Sequence, residues 1–92
     1  MRKIEQSRAF RRDYKRQKKS GQHKDLDQKL VPILKALAND ELLADRYRDH
    51  ALTGEWKTFR DCHVKPDLVL IYQKTEGELR LARLGSHSEL FG

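Results

Sequence analysis

Apolar residues recur along residues 26–37 as Leu26, Leu30, Ile33, Leu34 and Leu37, an i, i+4, i+7, i+8, i+11 stripe. That spacing lays one face of a helix on a core. Asp25 stands where an N-cap belongs, with Gln28 three residues on. Pro32 inside the stripe predicts a kink or a break, because an interior proline removes an N–H and costs about 3 kcal/mol. Upstream, residues 7–21 also read as a helix: Phe10 and Tyr14 lie one turn apart on one face amid basic residues, and Gly21 ends it. Residues 2–6 suit a short first strand anchored by Ile4. After a loop-like stretch at 40–55, the period changes to two. Trp56, Thr58, Arg60, Cys62 and Val64 alternate with Lys57, Phe59, Asp61 and His63. That predicts a strand over 56–64 in which Asp61 and His63 share a face with Phe59. Residues 67–72, following Pro66, are the most apolar run and predict a central strand covered on both faces for part of its length. A hairpin turn at 74–77 leads to a strand over 79–85, with Leu79, Leu81 and Arg83 on one face. Ser86-His87-Ser88-Glu89 has the spacing of a capping box that opens a short terminal turn. Trp56 and Tyr72 are assigned to the core. Helices first and a meander after them predict an α+β domain spanning 1–92: two N-terminal helices packed on a small, mainly antiparallel twisted sheet.

Composition sharpens this picture. At 92 residues there is room for one sheet-and-helix core and little else. Charged and hydrophobic residues each make up 37%, mixed in sign, which does not force disorder. Residues 1–24 carry ten Lys or Arg against two acids, a net of +8, while residues 25–92 carry ten against twelve, a net of −2. The basicity therefore belongs to the N-terminal segment, where Arg8, Arg11, Arg12, Lys15, Arg16, Lys18 and Lys19 suit a phosphate backbone. One cysteine, Cys62, forms no intrachain disulfide and points to a reducing compartment. No apolar run approaches the roughly 18–20 residues of a membrane span, and the basic N-terminus lacks an apolar signal-peptide centre. A soluble cytoplasmic protein with no membrane partner is the expectation.

The chemistry gathers in the last third. His50, Asp61, His63, Asp67, Arg83, His87 and Phe91 fall within some forty residues. An ordinary imidazole titrates near neutral pH and suits both proton donation and proton acceptance. An arginine binds phosphate, and an aromatic ring stacks on a base. These are the parts for cutting RNA with its own 2′-hydroxyl as nucleophile, where a base takes that proton, an acid protonates the departing 5′-oxygen and cations steady the phosphorane. His50, His63 and His87 are the proton-transfer candidates, and which is acid and which is base stays open. Asp61 is placed to brace His63, Asp67 to orient a histidine, Arg83 to clamp a phosphate and Phe91 to stack or plug. Cys62, His63 and Asp67 are ligand types, but C-x-x-C and H-E-x-x-H spacings are missing, so neither a metal nor another cofactor is expected. Cys62 shares its face with Trp56 and Val64 and reads as buried and inert.

These residues carry a family resemblance. DHALTGEWKTFRDCHVKPDLVLIYQ, followed by LRLARLGSHSELFG, resembles the YafQ group of the RelE/ParE toxin superfamily. The shared pattern is D-H-x-L-x-G-x-W-x-x-x-R-D-x-H-V-x-P-D, then I-Y, then R-x-G-[ST]-H-x-x-L-F-G, from Asp49 to the C-terminus. The N-terminal half matches only in layout. The resemblance implies a RelE-like, microbial-RNase-like fold. It also implies the toxin of a type II toxin–antitoxin system: an mRNA interferase that enters the A site of the 70S ribosome and cuts mRNA at A-rich codons. Its functional residues, carried over by position, are His50, Asp61, His63, Asp67, Arg83, His87 and Phe91. The partners implied are the ribosome, mRNA and a cognate antitoxin, with DNA met only through the antitoxin complex. Leu68 departs from the family, where a Trp can stand, and bears on codon preference; Pro32 bears on helix shape. Two other readings remain beside the nuclease: a non-catalytic ribosome- or RNA-binding module, and a ParE-like toxin with another target.

Overall fold

The chain forms five strands and three α-helices in a computed structural model that describes all 92 residues. Strands β1 (Lys3–Gln6), β2 (His50–Ala51), β3 (Arg60–Lys65), β4 (Leu68–Lys74) and β5 (Glu78–Gly85) make one sheet in the order β1-β5-β4-β3-β2. β2 to β5 are an antiparallel meander, and β1 joins β5 in parallel. α1 (Arg8–Lys19) and α2 (Leu26–Ala38) follow β1, and α3 (His87–Phe91) ends the chain. This is the α+β arrangement the patterning predicts.

The core lies between the helices and one face of the sheet. Phe10, Leu26, Leu30, Ile33 and Leu37 pack on Cys62, Val64, Leu68, Leu70, Tyr72, Leu79, Leu81 and Leu84. Val69 and Ile71 are equally buried but lie outside that cluster, on the opposite face of β4. β4 is thus covered on both sides, as its unbroken apolar run requires. Pro32 sits inside α2, which runs without a break from Leu26 to Ala38. The ring occupies an exposed position, so the helix keeps its apolar stripe. Asp25 holds the N-cap position but makes no capping bond; its carboxylate bonds Lys65 instead.

Four expectations need correction. The strand predicted over 56–64 begins only at Arg60, because Gly54–Trp56 forms a 3-10 turn and Phe59 N–H bonds Trp56 O at 2.8 Å. Trp56 is therefore half-buried, edge-on to Phe59 with centroids 5.1 Å apart, and is not part of the core. Asp67 lies in the turn between β3 and β4, with the strand opening at Leu68. Arg83 does not share the face of Leu79 and Leu81. Tyr72 pairs with Leu81 but Ile71 pairs with Arg83, so one extra residue bulges from β5 and reverses the side on which Arg83 emerges.

β1 covers only the first half of β5, from Glu78 to Leu81. Beyond it, α1 supplies the missing partners. Ser7 caps α1 by accepting from Phe10 N and donates its own hydroxyl to Ala82 O, both at 2.9 Å. One turn on, the fully buried Asp13 accepts from Leu84 N at 3.0 Å. α1 is thereby fixed beside the bulge that turns Arg83.

Candidate active site

One line of residues crosses the sheet on the face away from the main core. His50 pairs with Asp61, Asp61 with Ile71, and Ile71 with Arg83. His63, two residues beyond Asp61, emerges on the same side. Ser86 caps α3 in a complete capping box with Glu89, which fixes the first helical residue, His87. Phe91 follows His87 by one turn, with ring centroids 4.9 Å apart. His50, Asp61, His63, His87, Phe91 and Trp56 together line a cleft of about 330 Å³. Five residues expected from the sequence thus meet in one cleft, and Trp56, assigned to the core, is a sixth wall.

Asp61 is the electrostatic centre. Its residue is 3% exposed. Burial pushes its carboxyl above the usual range, against the lowering pull of His50, His63 and His87. One of its oxygens, Oδ1, has no aligned hydrogen-bond donor. His50 Nδ1 approaches it to 3.1 Å but lies 2.9 Å from Arg48 O, toward which its N–H is directed. The approach to Asp61 is not an aligned hydrogen bond, and it becomes an ion pair only when the imidazole is protonated. Both neighbours of Nδ1 are acceptors, so the proton of a neutral His50 resides on Nδ1 and the lone pair on Nε2. The sequence reading paired Asp61 with His63; the structure puts His50 beside it as well. Arg48 holds its carbonyl there from a left-handed backbone conformation (φ 49°), which costs a non-glycine residue roughly 1–2 kcal/mol.

Two further carboxylates hold the site in shape, and neither was singled out from the sequence. Asp13 takes Nε of Arg83 at 2.7 Å, Nη2 of Arg83 at 3.3 Å and Nη2 of Arg16 at 2.9 Å. Burial works to raise its carboxyl, but the hydrogen bonds from Arg83 and Leu84 and the two guanidinium charges outweigh it and hold it below the usual carboxylate range. Arg83 is in turn kept firmly cationic by that hydrogen bond, with Nη1 left over. The available signal was that Asp13 is the one acid among residues 8–19 and sits on the Phe10–Gln17 face. Asp49 accepts from Tyr72 Oη at 2.5 Å and from Arg60 Nε at 3.1 Å, pinning the segment that carries His50 to the sheet.

Other expected residues lie elsewhere. Asp67 faces a separate groove that it shares with Ser86, Gln17 and Glu89. Leu68 is fully buried in the core, so the departure from Trp at this position alters packing beneath the turn and not the cleft wall. Cys62 is fully buried, and burial pushes its thiol far up, consistent with an inert residue. Arg8, Arg11, Arg12, Lys15, Arg16, Lys18 and Lys19 are all exposed along α1.

Known proteins match this chain in sequence and in fold. The sequence profile of a family described as the bacterial toxin of the type II toxin–antitoxin system, YafQ, covers residues 2–92. The mRNA interferase toxin YafQ of Escherichia coli (strain K12) is 45% identical over 92 residues, spanning 99% of this chain and 97% of that protein. A copper-bound mutant toxin from Helicobacter pylori superposes with a TM-score of 0.92 at 42% identity, covering 99% of this chain and all of that one. A chain of the E. coli DinJ-YafQ complex superposes with a TM-score of 0.87 at 43% identity, covering 100% of both. With its sequence matched along nearly its whole length and its fold shared, the chain belongs to the YafQ family of toxins of bacterial type II toxin–antitoxin systems.

Proposed function

We propose that this chain is an endoribonuclease of the mRNA interferase kind. It cuts mRNA through the RNA's own 2′-hydroxyl, by acid–base catalysis without a metal, in the ribosomal A site at A-rich codons. The observation that carries this reading is the cleft in which buried Asp61 sits among His50, His63 and His87, with Arg83 on the same cross-strand row. The name of the E. coli relative, an mRNA interferase toxin, supports the substrate class.

The residues divide the work as follows. His50 is the favoured general base, since its Nδ1–H is held by Arg48 O and its Nε2 lone pair is free to take the 2′-hydroxyl proton. His87 or His63 gives a proton to the departing 5′-oxygen. Asp61 stabilises whichever imidazolium forms. Arg83, braced by Asp13, offers Nη1 to the phosphorane oxygens. Phe91 backs His87 and offers a stacking face to a base. Asp67, in its separate groove, acts at a remove, beside the Ser86 cap that positions His87. The seven exposed cations of α1 meet ribosomal RNA, and the ribosome supplies the orientation that a shallow cleft lacks. The enzyme acts in the cytoplasm, where its substrate is. A cognate antitoxin is its partner, as DinJ is seen with YafQ from E. coli, and any contact with DNA runs through that complex.

Primer extension on mRNA in a translating extract tests this, with wild type beside His87→Ala. Ribosome-dependent cuts inside A-rich codons that vanish in the variant are expected. Translation arrest without cuts, unchanged by the substitution, would favour a non-catalytic binding module. Growth arrest with intact mRNA and intact translation would favour a ParE-like toxin with another target.

A further inference from the structure

A second groove, of about 730 Å³, meets the catalytic cleft at His63, which lines both. Its walls carry Lys29, Arg46, Arg48 and Lys65 against one carboxylate, Asp25, a net of +3. Asp25 is already bonded to Lys65, whose ammonium also lies 3.2 Å from His23 Nδ1. Lys29, Arg46 and Arg48 make no ion pair, though Lys29 lies close enough to Asp25 to feel its charge. Three cations without an ion pair, on a concavity of net charge +3, make an electrostatic site for an anion.

The groove also holds a flat surface. Arg46 lies over the ring of Tyr47, 4.9 Å from its centroid, and donates to Tyr47 Oη at 2.8 Å. A guanidinium laid on a ring in this way presents a planar cationic face, on which a nucleobase stacks. Arg48 links the two concavities: its carbonyl holds His50 Nδ1, and the residue also lines the groove. A strand whose reacting phosphate lies among His50, His63 and His87 would run past His63 into this groove.

We propose that the Lys29–Arg46–Arg48–Lys65 groove is a subsite for the nucleotide adjoining the reacting one. Lys29, Arg48 and Lys65 take its phosphate and the Arg46–Tyr47 pair takes its base. This rests on the nuclease reading for the position of the reacting phosphate, but it is a binding site in its own right. It recognises single-stranded RNA by phosphate charge and stacking, without reading sequence through base edges.

The test uses the full-length chain and a fluorescein-labelled RNA hexanucleotide with 2′-O-methyl riboses throughout, which has no 2′-hydroxyl to react. Affinity is measured by anisotropy across a salt series for wild type, for Lys29→Gln/Arg48→Gln, and for Lys35→Gln as a charge control outside the groove. Neither groove side chain makes an ion pair, so the double variant keeps the fold, checked by its melting temperature. The subsite requires that the double variant bind about tenfold more weakly. It also requires that the slope of log affinity against log salt shrink by about 0.7, the share of one neutralised phosphate on a single strand. Lys35→Gln should leave both unchanged. Equal affinity and slope in the double variant and wild type overturn the proposal. So does a double variant that keeps its RNA affinity and loses affinity for the antitoxin, which makes the groove a protein-docking surface. If the wild type fails to cut ribosome-bound mRNA yet shows the groove-dependent slope, the nuclease reading falls and the groove stands as a single-stranded RNA-binding site.

Discussion

Replacing Asp13 by Ala should destabilise the fold by about 3 kcal/mol, and the figure can be assembled from its three partners. Leu84 N–H, buried and 3.0 Å from Asp13, would lose its acceptor; an unsatisfied buried donor costs about 1–3 kcal/mol. Arg83 would lose its counter-charge. Breaking a fully buried pair costs about 3–5 kcal/mol, but the Arg83 side chain is 28% exposed and can partly rehydrate, so about 1–2 kcal/mol is a fair share. Arg16 is half-exposed and adds little. For a chain of this length, each kcal/mol is worth about 5 °C, so the melting temperature should fall by about 15 °C. The pH dependence follows from the direction of the Asp13 shift. Its carboxyl is held below the usual range when folded, so its stabilisation is complete above the ordinary carboxylate value and is lost as pH falls through the lowered folded value. The gap between wild type and Asp13→Ala should stay level above about pH 5 and close below about pH 4. Thermal melts by circular dichroism across that range measure it. Asp13→Asn, which keeps an acceptor for Leu84 N–H, should recover about half. A drop of under about 3 °C at neutral pH, or a gap that widens on acidification, would refute the reasoning. Cleavage should also fall in both variants, because Arg83 loses the brace that aims it.

Asp61→Asn should move stability and activity in opposite directions. The Asp61 carboxyl is raised on folding, so its favourable contribution exists below the ordinary carboxylate value and is lost as pH rises through the folded value. The amide should therefore melt a few degrees higher at pH 8, a gain of about 1 kcal/mol that closes below about pH 4, while cleavage falls at least tenfold. Tyr72→Phe removes the hydroxyl that holds Asp49; a loss of about 1 kcal/mol in stability and a lower kcat with little change in KM are expected, since the His50 segment is loosened but not removed. Cys62, buried with its thiol pushed up, should resist iodoacetamide in the native protein and react on unfolding; rapid native labelling would place it at the surface.

The elements whose spacing encodes their burial were legible in the sequence. The stripe from Leu26 to Leu37 and the run from Leu68 to Tyr72 carry their own periodicity, and the capping box at Ser86 sets His87 and Phe91 one turn apart. What escaped depends on contacts distant in sequence. No glycine or proline marks the bulge at Ala82, yet that one residue decides which face Arg83 joins. Asp13 looks like one acid in a basic helix until β1 proves too short to cover β5 and leaves Leu84 N–H to be met from α1. Trp56 fits an alternating strand on paper, but the left-handed Gly54 turns the chain into a 3-10 turn and brings the indole to the cleft wall. Asp49 could be read as a surface acid; only pairing of Arg60 with Tyr72 on adjacent strands reveals the two donors it joins.

The central claim is that the histidine cleft uses the substrate's own 2′-hydroxyl. The most direct measurement is cleavage of a ribosome-bound mRNA carrying a single 2′-deoxy nucleotide immediately 5′ of the scissile phosphate, beside the all-ribo message. The account requires that the all-ribo message be cut to leave a 2′,3′-cyclic phosphate or its opened 3′-phosphate, and that the deoxy message stay intact at that bond. Cleavage of the deoxy message at the same bond and a comparable rate would contradict it, because the nucleophile would then be something other than the RNA itself.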